Sequence, residues 1–335
     1  MIQPIFSFII PVYNRPNEIL ELLQSMVLLK YDKPFEVVII EDGSTETAKT
    51  ITDEFEKKLN ISYYLKENSG PGDSRNYGMH RAKGNFFLIL DSDVILPSNY
   101  LIEVEKALSR KYVDCFGGLD TAHESFTDLQ KAINFTMTSF MTTGGIRGGG
   151  EQLGKFQPRS FNMGLSKKAF ETSGGFGHIH PGEDPDLSMR LWELGFETAL
   201  FPKVAVFHKR RISWKKFLIQ VTKFGKCRPI LNYWHEGTAK VTYWFPSLFL
   251  IGVIVAVISA AAKIYFPIFL LITYFVAIFL SASIQYKSLK IGVMSFWAML
   301  IQFYGYGKGF LVSFFKLKVL GLKPEKAFPD LFFKS

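Results

Sequence analysis

Two cysteines in 335 residues, Cys115 and Cys227, are too few for a disulfide framework or a thiolate metal site. A reducing compartment fits that count. The opening residues MIQPIFSFIIPVYN lack a basic leader and a small-residue cleavage site, so they read as a first strand and not as a secretion signal. The glycine-rich SGPGDSR has Arg75 where a dinucleotide fingerprint needs its third glycine, and no Gly-Lys-Ser/Thr follows for a P-loop. Spacing excludes both. Acid is scarce from Lys203 to Lys240, where ten Lys or Arg meet only Glu236, and charge is missing altogether from 245–262 and 264–284. Those runs of 18 and 21 residues are each long enough to span a bilayer.

What is abundant is apolar: 48% of the chain is hydrophobic, with 33 Phe, and the excess lies after Tyr243. A basic block abutting hydrophobic spans marks the cytoplasmic side of a membrane and meets anionic lipid, so membrane lipid is the expected partner and nucleic acid is not. Before that block, strands alternate with helices of about a dozen residues, which implies a parallel sheet of βαβ units. The expected strands are Phe6–Ile10, Phe35–Ile40, Ile61–Leu65, Phe86–Leu90, Val113–Gly118 and Arg159–Ser166, with Asn162 in the middle of the last. Ser44 or Thr45 is expected to cap the helix after the second strand. Asp91 and Asp93 follow the run FFLIL at a strand's carboxyl end, the edge where open α/β sheets bind ligands, and two hard carboxylates there suit a divalent cation holding a diphosphate. The turn before Arg75 and the helix amino end after it suit the same anion. The stretch Thr142–Gly154, with six glycines and Arg147, reads as a connector or a lid. Glu183, Asp184 and Asp186 crowd the start of a helix, where its dipole favours acids.

The order and spacing of FIIPVYNRPNEI, EVVIIEDGST, NSGPGDSRNYGMHRAKG, FFLILDSDVILP, FNMGLSKKAF and GEDPDLSMRLWELGF followed by VAVFH resemble the family 2 glycosyltransferases, over roughly residues 5–210. That resemblance implies an α/β GT-A fold with a mostly parallel sheet, followed here by interfacial and transmembrane helices. It implies that Pro11, Val12, Tyr13, Asn14 and Asp42 hold the nucleotide base, and that Arg75 lies beside base and diphosphate. Asp91 faces the ribose or the metal shell, Asp93 binds Mg²⁺ or Mn²⁺, and His208 completes that shell. Asp184 matches the catalytic base, Glu183 and Asp186 shape the acceptor site, and Asn162 joins the substrate-binding residues. One displacement with one base inverts the anomeric carbon.

The processive members' Gln-x-x-Arg-Trp is absent from FGKCRPILNYW, which favours transfer of a single sugar. The expected donor is a nucleotide-sugar, UDP in preference, and the acceptor a lipid-linked or cell-surface glycan. The expected organisation is a transferase domain at 1–210, basic amphipathic interfacial helices at 211–242, a transmembrane hairpin at 243–285, and a third apolar helix with a basic tail at 286–335. Glycines 305, 307 and 309 interrupt that third stretch, so an interfacial or re-entrant helix is preferred to a third span. The positive-inside rule places the transferase domain in the cytoplasm, as at a bacterial inner membrane. The alternatives are a sugar nucleotidyltransferase, whose basic glycine-rich amino-terminal signature is missing, and a membrane protein that binds nucleotide-sugar without transferring it.

Overall fold

The computed structural model describes residues 4–121, 126–143, 155–208 and 213–333. The glycine-rich stretch from Gly144 to Gly154, with Arg147, and the basic residues 209–211 lie outside them. The chain forms two compact units, one of 1–123, 149–208 and 332–335, the other of 124–148 and 209–331.

The first unit is built on an eight-stranded mixed sheet. Its strands are β1 (Phe6–Val12), β2 (Glu36–Asp42), β3 (Ile61–Lys66), β4 (Phe86–Leu90), β5 (Val94–Ile95), β6 (Cys115–Thr121), β7 (Asn162–Ser166) and β8 (Thr198–His208), in the spatial order 3-2-1-4-7-6-8-5. The pairs β1–β2, β2–β3, β1–β4 and β6–β8 are parallel, whereas β7 runs antiparallel to both β4 and β6. Both faces are covered, which is why these strands are continuous apolar runs. One face buries Phe8, Ile10, Val37, Ile39, Leu88 and Leu90 under α1 (Pro16–Val27) and α4 (Tyr100–Arg110). The other buries Ile9, Val38, Ile40, Phe87 and Ile89 under α3 (Pro71–Arg81), α7 (Lys167–Ser173) and α8 (Glu183–Glu193). Because β1, β2 and β4 are parallel, their carboxyl ends open on one edge.

Two local expectations change. The strand expected from Arg159 starts at Asn162, because Asn162 N–H donates back to Arg159 O at 3.0 Å and closes a turn there. The helix α2 (Lys49–Phe55) is not capped by Ser44 or Thr45; the Glu41 carboxylate accepts from Ala48 N–H at 2.9 Å at its start instead.

The second unit is helical: α5 (Asp128–Thr138), α6 (Phe140–Thr143), α9 (Trp214–Trp234), α10 (Phe245–Ala261), α11 (Phe266–Tyr286) and α12 (Leu289–Phe314). Two of its helical stretches, Val241–Ala261 and Phe266–Tyr286, are long and apolar enough to cross a membrane. The helix α9 is continuous, and Phe217 and Val221 on it are buried against Ile133, Met137 and Ala298. Glycines do not interrupt α12 either. A Cβ at Gly305 would meet Val221 at 2.7 Å, one at Gly309 would meet Thr222 O at 2.4 Å, and one at Gly225 on α9 would meet Tyr306 O at 2.2 Å. These glycines let the two backbones touch, the small-residue packing common between membrane helices.

Candidate active site

The carboxyl ends of β1, β2 and β4 bring three predicted segments to one edge, Pro11–Asn14, Asp42 and Asp91–Asp93. Pro11 and Val12 end β1, with the Val12 side chain in the core, and Tyr13 follows at 53% exposed. Asn14 has φ 53° and holds the neighbouring turn: its Oδ1 accepts from Thr45 N–H at 2.8 Å and Glu46 N–H at 3.0 Å. Asp42, 3% exposed, accepts from Lys66 Nζ at 2.8 Å and from Ser69 and Gly70 N–H at 3.0 Å each. It therefore fixes the loop that starts α3 at Gly70, whose φ of 92° is the left-handed region a side chain avoids.

From α3 rises Arg75, 3% exposed, which joins two groups of acids far apart in sequence. Nη2 donates to Asp91 Oδ1 at 2.7 Å and Nη1 to Glu183 Oε1 at 3.3 Å, while the guanidinium lies 5.2 Å over the Phe176 ring. Burial opposes its charge, but Asp91, then Asp184 and Glu183, outweigh that and raise its pKa. Asp93 is paired as well, accepting from Arg15 Nη1 at 2.6 Å. Among the described residues no group of three or more His, Cys, Asp or Glu gathers as a metal centre. Two carboxylates with diphosphate oxygens and water nonetheless make the all-oxygen shell that Mg²⁺ or Mn²⁺ takes, so the donor chemistry of Asp91 and Asp93 fits such an ion. His208 is in antiparallel register with Val94, which puts its backbone next to the Asp91–Asp93 turn. The His208 side chain lies outside what the structure describes.

At the start of α8, Glu183 is buried. Its Oε1 contacts His180 Nδ1 at 2.9 Å as well as Arg75, and its Oε2 accepts from Gly182 N–H at 2.8 Å. Burial acts to raise this carboxyl, but His180 and then Arg75 overcome it and hold the group below the usual range. Asp184 is half-buried; its Oδ2 accepts from Ser160 N–H at 3.1 Å and its Oδ1 has no hydrogen-bond partner. Burial, and then the Glu183 charge, push Asp184 up to about 6. A carboxylate with a free oxygen and a pKa near neutrality is equipped to take a proton. Asp186 instead grips Arg190 on its own helix, at 3.0 Å to Nε and 2.9 Å to Nη2.

Asn162 lies within the sheet. It is fully buried, its Oδ1 accepts from Tyr100 O–H at 2.7 Å, and its Nδ2 donates to Val204 O at 2.9 Å and Leu119 O at 3.4 Å. Its side chain ties β7 to β6 and β8. Two residues that sequence reasoning passed over pair with these acids, Arg15 with Asp93 and His180 with Glu183. Arg15 follows β1, and since β1 and β4 are adjacent parallel strands, a cation after one faces an acid after the other. His180 precedes Glu183 by three residues, within reach of a carboxylate at a helix start.

The family model of Glycosyl transferase family 2 matches residues 7–174, which ends before Glu183 and Asp184. A glycosyltransferase of Rickettsia felis described as uncharacterized is 35% identical over 136 residues, 41% of this chain and 22% of that protein. Poly(ribitol-phosphate) beta-N-acetylglucosaminyltransferase TarS of Staphylococcus aureus is 42% identical over 112 residues, 32% of this chain and 20% of TarS. The chain thus matches about a fifth of the length of either relative. Among solved structures, the mannosyltransferase PcManGT of Pyrobaculum calidifontis, in complex with GDP-Man and Mn²⁺, superposes with a TM-score of 0.62 at 16% identity, over 88% of this chain and 86% of that one. Residues 1–349 of TarS superpose with a TM-score of 0.51 at 18% identity, over 95% and 92%. At these identities the superpositions speak for the fold.

Proposed function

The chain belongs to glycosyl transferase family 2, and from that premise we propose that it is a membrane-anchored, metal-dependent, inverting glycosyltransferase. It moves a single sugar from a nucleotide-sugar, UDP favoured, to a lipid-linked or cell-surface glycan, with its catalytic unit in the cytoplasm at a bacterial inner membrane. The observation that carries this reading is Asp184, whose Oδ1 is buried without a hydrogen-bond partner and which adjoins Glu183, the acid that Arg75 joins to Asp91. Asp184 takes the acceptor hydroxyl's proton as that oxygen attacks the anomeric carbon. Arg75 and the amino end of α3 meet the negative charge that develops on the leaving diphosphate. Asp91 and Asp93 hold Mg²⁺ or Mn²⁺, which when bound supplies Lewis-acid stabilisation of the same charge. With Glu183 kept on Arg75 and His180, Asp184 is, among the described residues of this edge, the carboxylate we assign as base, consistent with one inverting displacement. The two long apolar helices support anchoring, and the name of TarS, a transferase to poly(ribitol-phosphate), supports a polymeric acceptor.

Nucleotide release by the detergent-purified protein, measured against UDP-, GDP- and dTDP-sugars with Mn²⁺, tests this. Release from one donor is expected, with loss in Asp184→Asn but retention of donor-induced thermal stabilisation. Asp93→Asn is expected to lose the Mn²⁺-dependent stabilisation itself. An Asp184→Asn variant that releases nucleotide at the wild-type rate refutes the base, and donor binding that is indifferent to Asp93→Asn refutes the metal site.

A further inference from the structure

The residues Phe332 and Phe333 lie about 150 positions beyond the loop that leads into α8, yet they pack on it and close a second contact with α3. Phe332 forms an antiparallel bridge with Ile179, and Phe333 N–H donates to His178 O at 3.2 Å. The Phe333 ring is tilted against the His180 ring, with centroids 6.0 Å apart. On its other side it lies against Gly70 so closely that a Cβ there would fall 2.3 Å from ring atom Cδ2. Gly70 opens α3, one turn before Arg75. His180, in turn, is the residue on Glu183.

The loop under this segment is pliant by composition, with Gly174, Gly175, Gly177 and Gly182 within nine residues. Its first half is held by Asn76, which pairs with Phe176 O at 2.9 Å and Phe176 N–H at 2.8 Å, and by Arg190, which donates to Ser173 O at 2.7 Å and Gly175 O at 2.6 Å, so the question of order falls on residues 178–182. The bridge to Phe332 supplies backbone pairing, and the Phe333 ring spans from the loop to the helix that carries Arg75. We propose that Phe332 and Phe333 are positioning residues of the transfer site, holding His178–Gly182 so that Glu183 stays on Arg75 and His180 and Asp184 keeps its position and its shielding from water. The inference rests on the assignment of Asp184 as the base. The groups that face Asp184 are Glu183 on its own helix, Arg75 from α3, and Arg159 and the Ser160 N–H from the turn before β7. A loosened loop admits water and weakens the Arg75–Glu183 pairing, which alters kcat and the acid side of the rate profile more than donor affinity.

Three variants of the full chain separate the contributions. Phe333→Pro removes the N–H donated to His178 together with the ring, Phe333→Ala removes the ring alone, and Phe333→Tyr keeps both. Hydrogen exchange over 178–184 is followed alongside donor turnover. In Phe333→Pro, exchange should quicken about tenfold or more, as expected when a local opening becomes easier. Its kcat should fall by about tenfold or more while the donor KM stays within about threefold, the pattern of a misplaced catalytic group. The acid limb of its pH profile should move to lower pH; Phe333→Ala should lie between, and Phe333→Tyr should match the parent. Unchanged exchange in Phe333→Pro overturns the proposal whatever the activity. So does faster exchange with unaltered kcat and pH limb, and so does turnover lost together with donor-induced stabilisation, which marks a general structural role. Wild-type protein that is silent with every donor counts against the transferase reading, while the exchange data still decide the positioning contact.

Discussion

Asp184→Asn should stabilise the protein as it abolishes transfer. The carboxyl rises on folding from an ordinary 3.8 to about 6, because burial disfavours its charge and Glu183 adds repulsion. Between those two values the folded chain binds a proton that the unfolded chain has released, so stability falls as pH rises through that window. The cost is absent below about 4 and complete above about 6. The rise from 3.8 to about 6, at about 1.36 kcal/mol per pH unit, sets a ceiling of about 3 kcal/mol. Asp184 is only half-buried, and solvent screening brings the expected gain at neutral pH to about 1–2 kcal/mol. Asn keeps an oxygen for the Ser160 N–H and carries no charge at any of these pH values. The assay is thermal unfolding of the purified full chain and the variant in one detergent across that range. At about pH 7.5 the variant should melt about 2–6 °C higher, and near about pH 4 the two curves should converge. Groups that Asp184 does not reach cancel in the difference, leaving Asp184 itself and its response with Glu183 and Arg75. A variant that is less stable at neutral pH, or a gain that does not shrink on acidification, refutes the account of Asp184 as a carboxylate stored at a cost.

Two further outcomes follow from the packing. Asn162→Ala strands the buried Tyr100 hydroxyl and the carbonyls of Val204 and Leu119, so it should cost about 1–3 kcal/mol of stability with the donor KM unchanged; a raised KM with an unaltered Tm would return Asn162 to the substrate. Gly225→Val drives a side chain into Tyr306 O, where even a Cβ would lie at 2.2 Å, and should cost about 1–3 kcal/mol by forcing α9 and α12 apart. Gly252→Ala, with nothing within 4 Å of the added Cβ, is the control that should leave the Tm alone.

What the sequence by itself determined is what short-range pattern carries. The runs at Phe6, Glu36 and Phe86 mark buried parallel strands, polar turns follow them, and uncharged stretches mark the long apolar helices, all because a strand or a span needs only its own residues to be apolar. The placement of Asp91 and Asp93 at a ligand edge follows from that alternation as well. Tertiary structure decided which charges meet. Arg75 reaches Glu183 across 108 positions and Arg15 reaches Asp93 across 78, distances over which local periodicity carries no information. It also turned Asn162 inward, because the hydroxyl and carbonyls that satisfy it come from three other elements. The glycines of α12 look like interruptions when read along one helix and become a contact seam only when α9 is laid against it. The Phe332 and Phe333 contact with the α8 loop is of the same kind. Burial and partner identity set the state of Asp184, and both are properties of neighbours that the chain brings together only on folding.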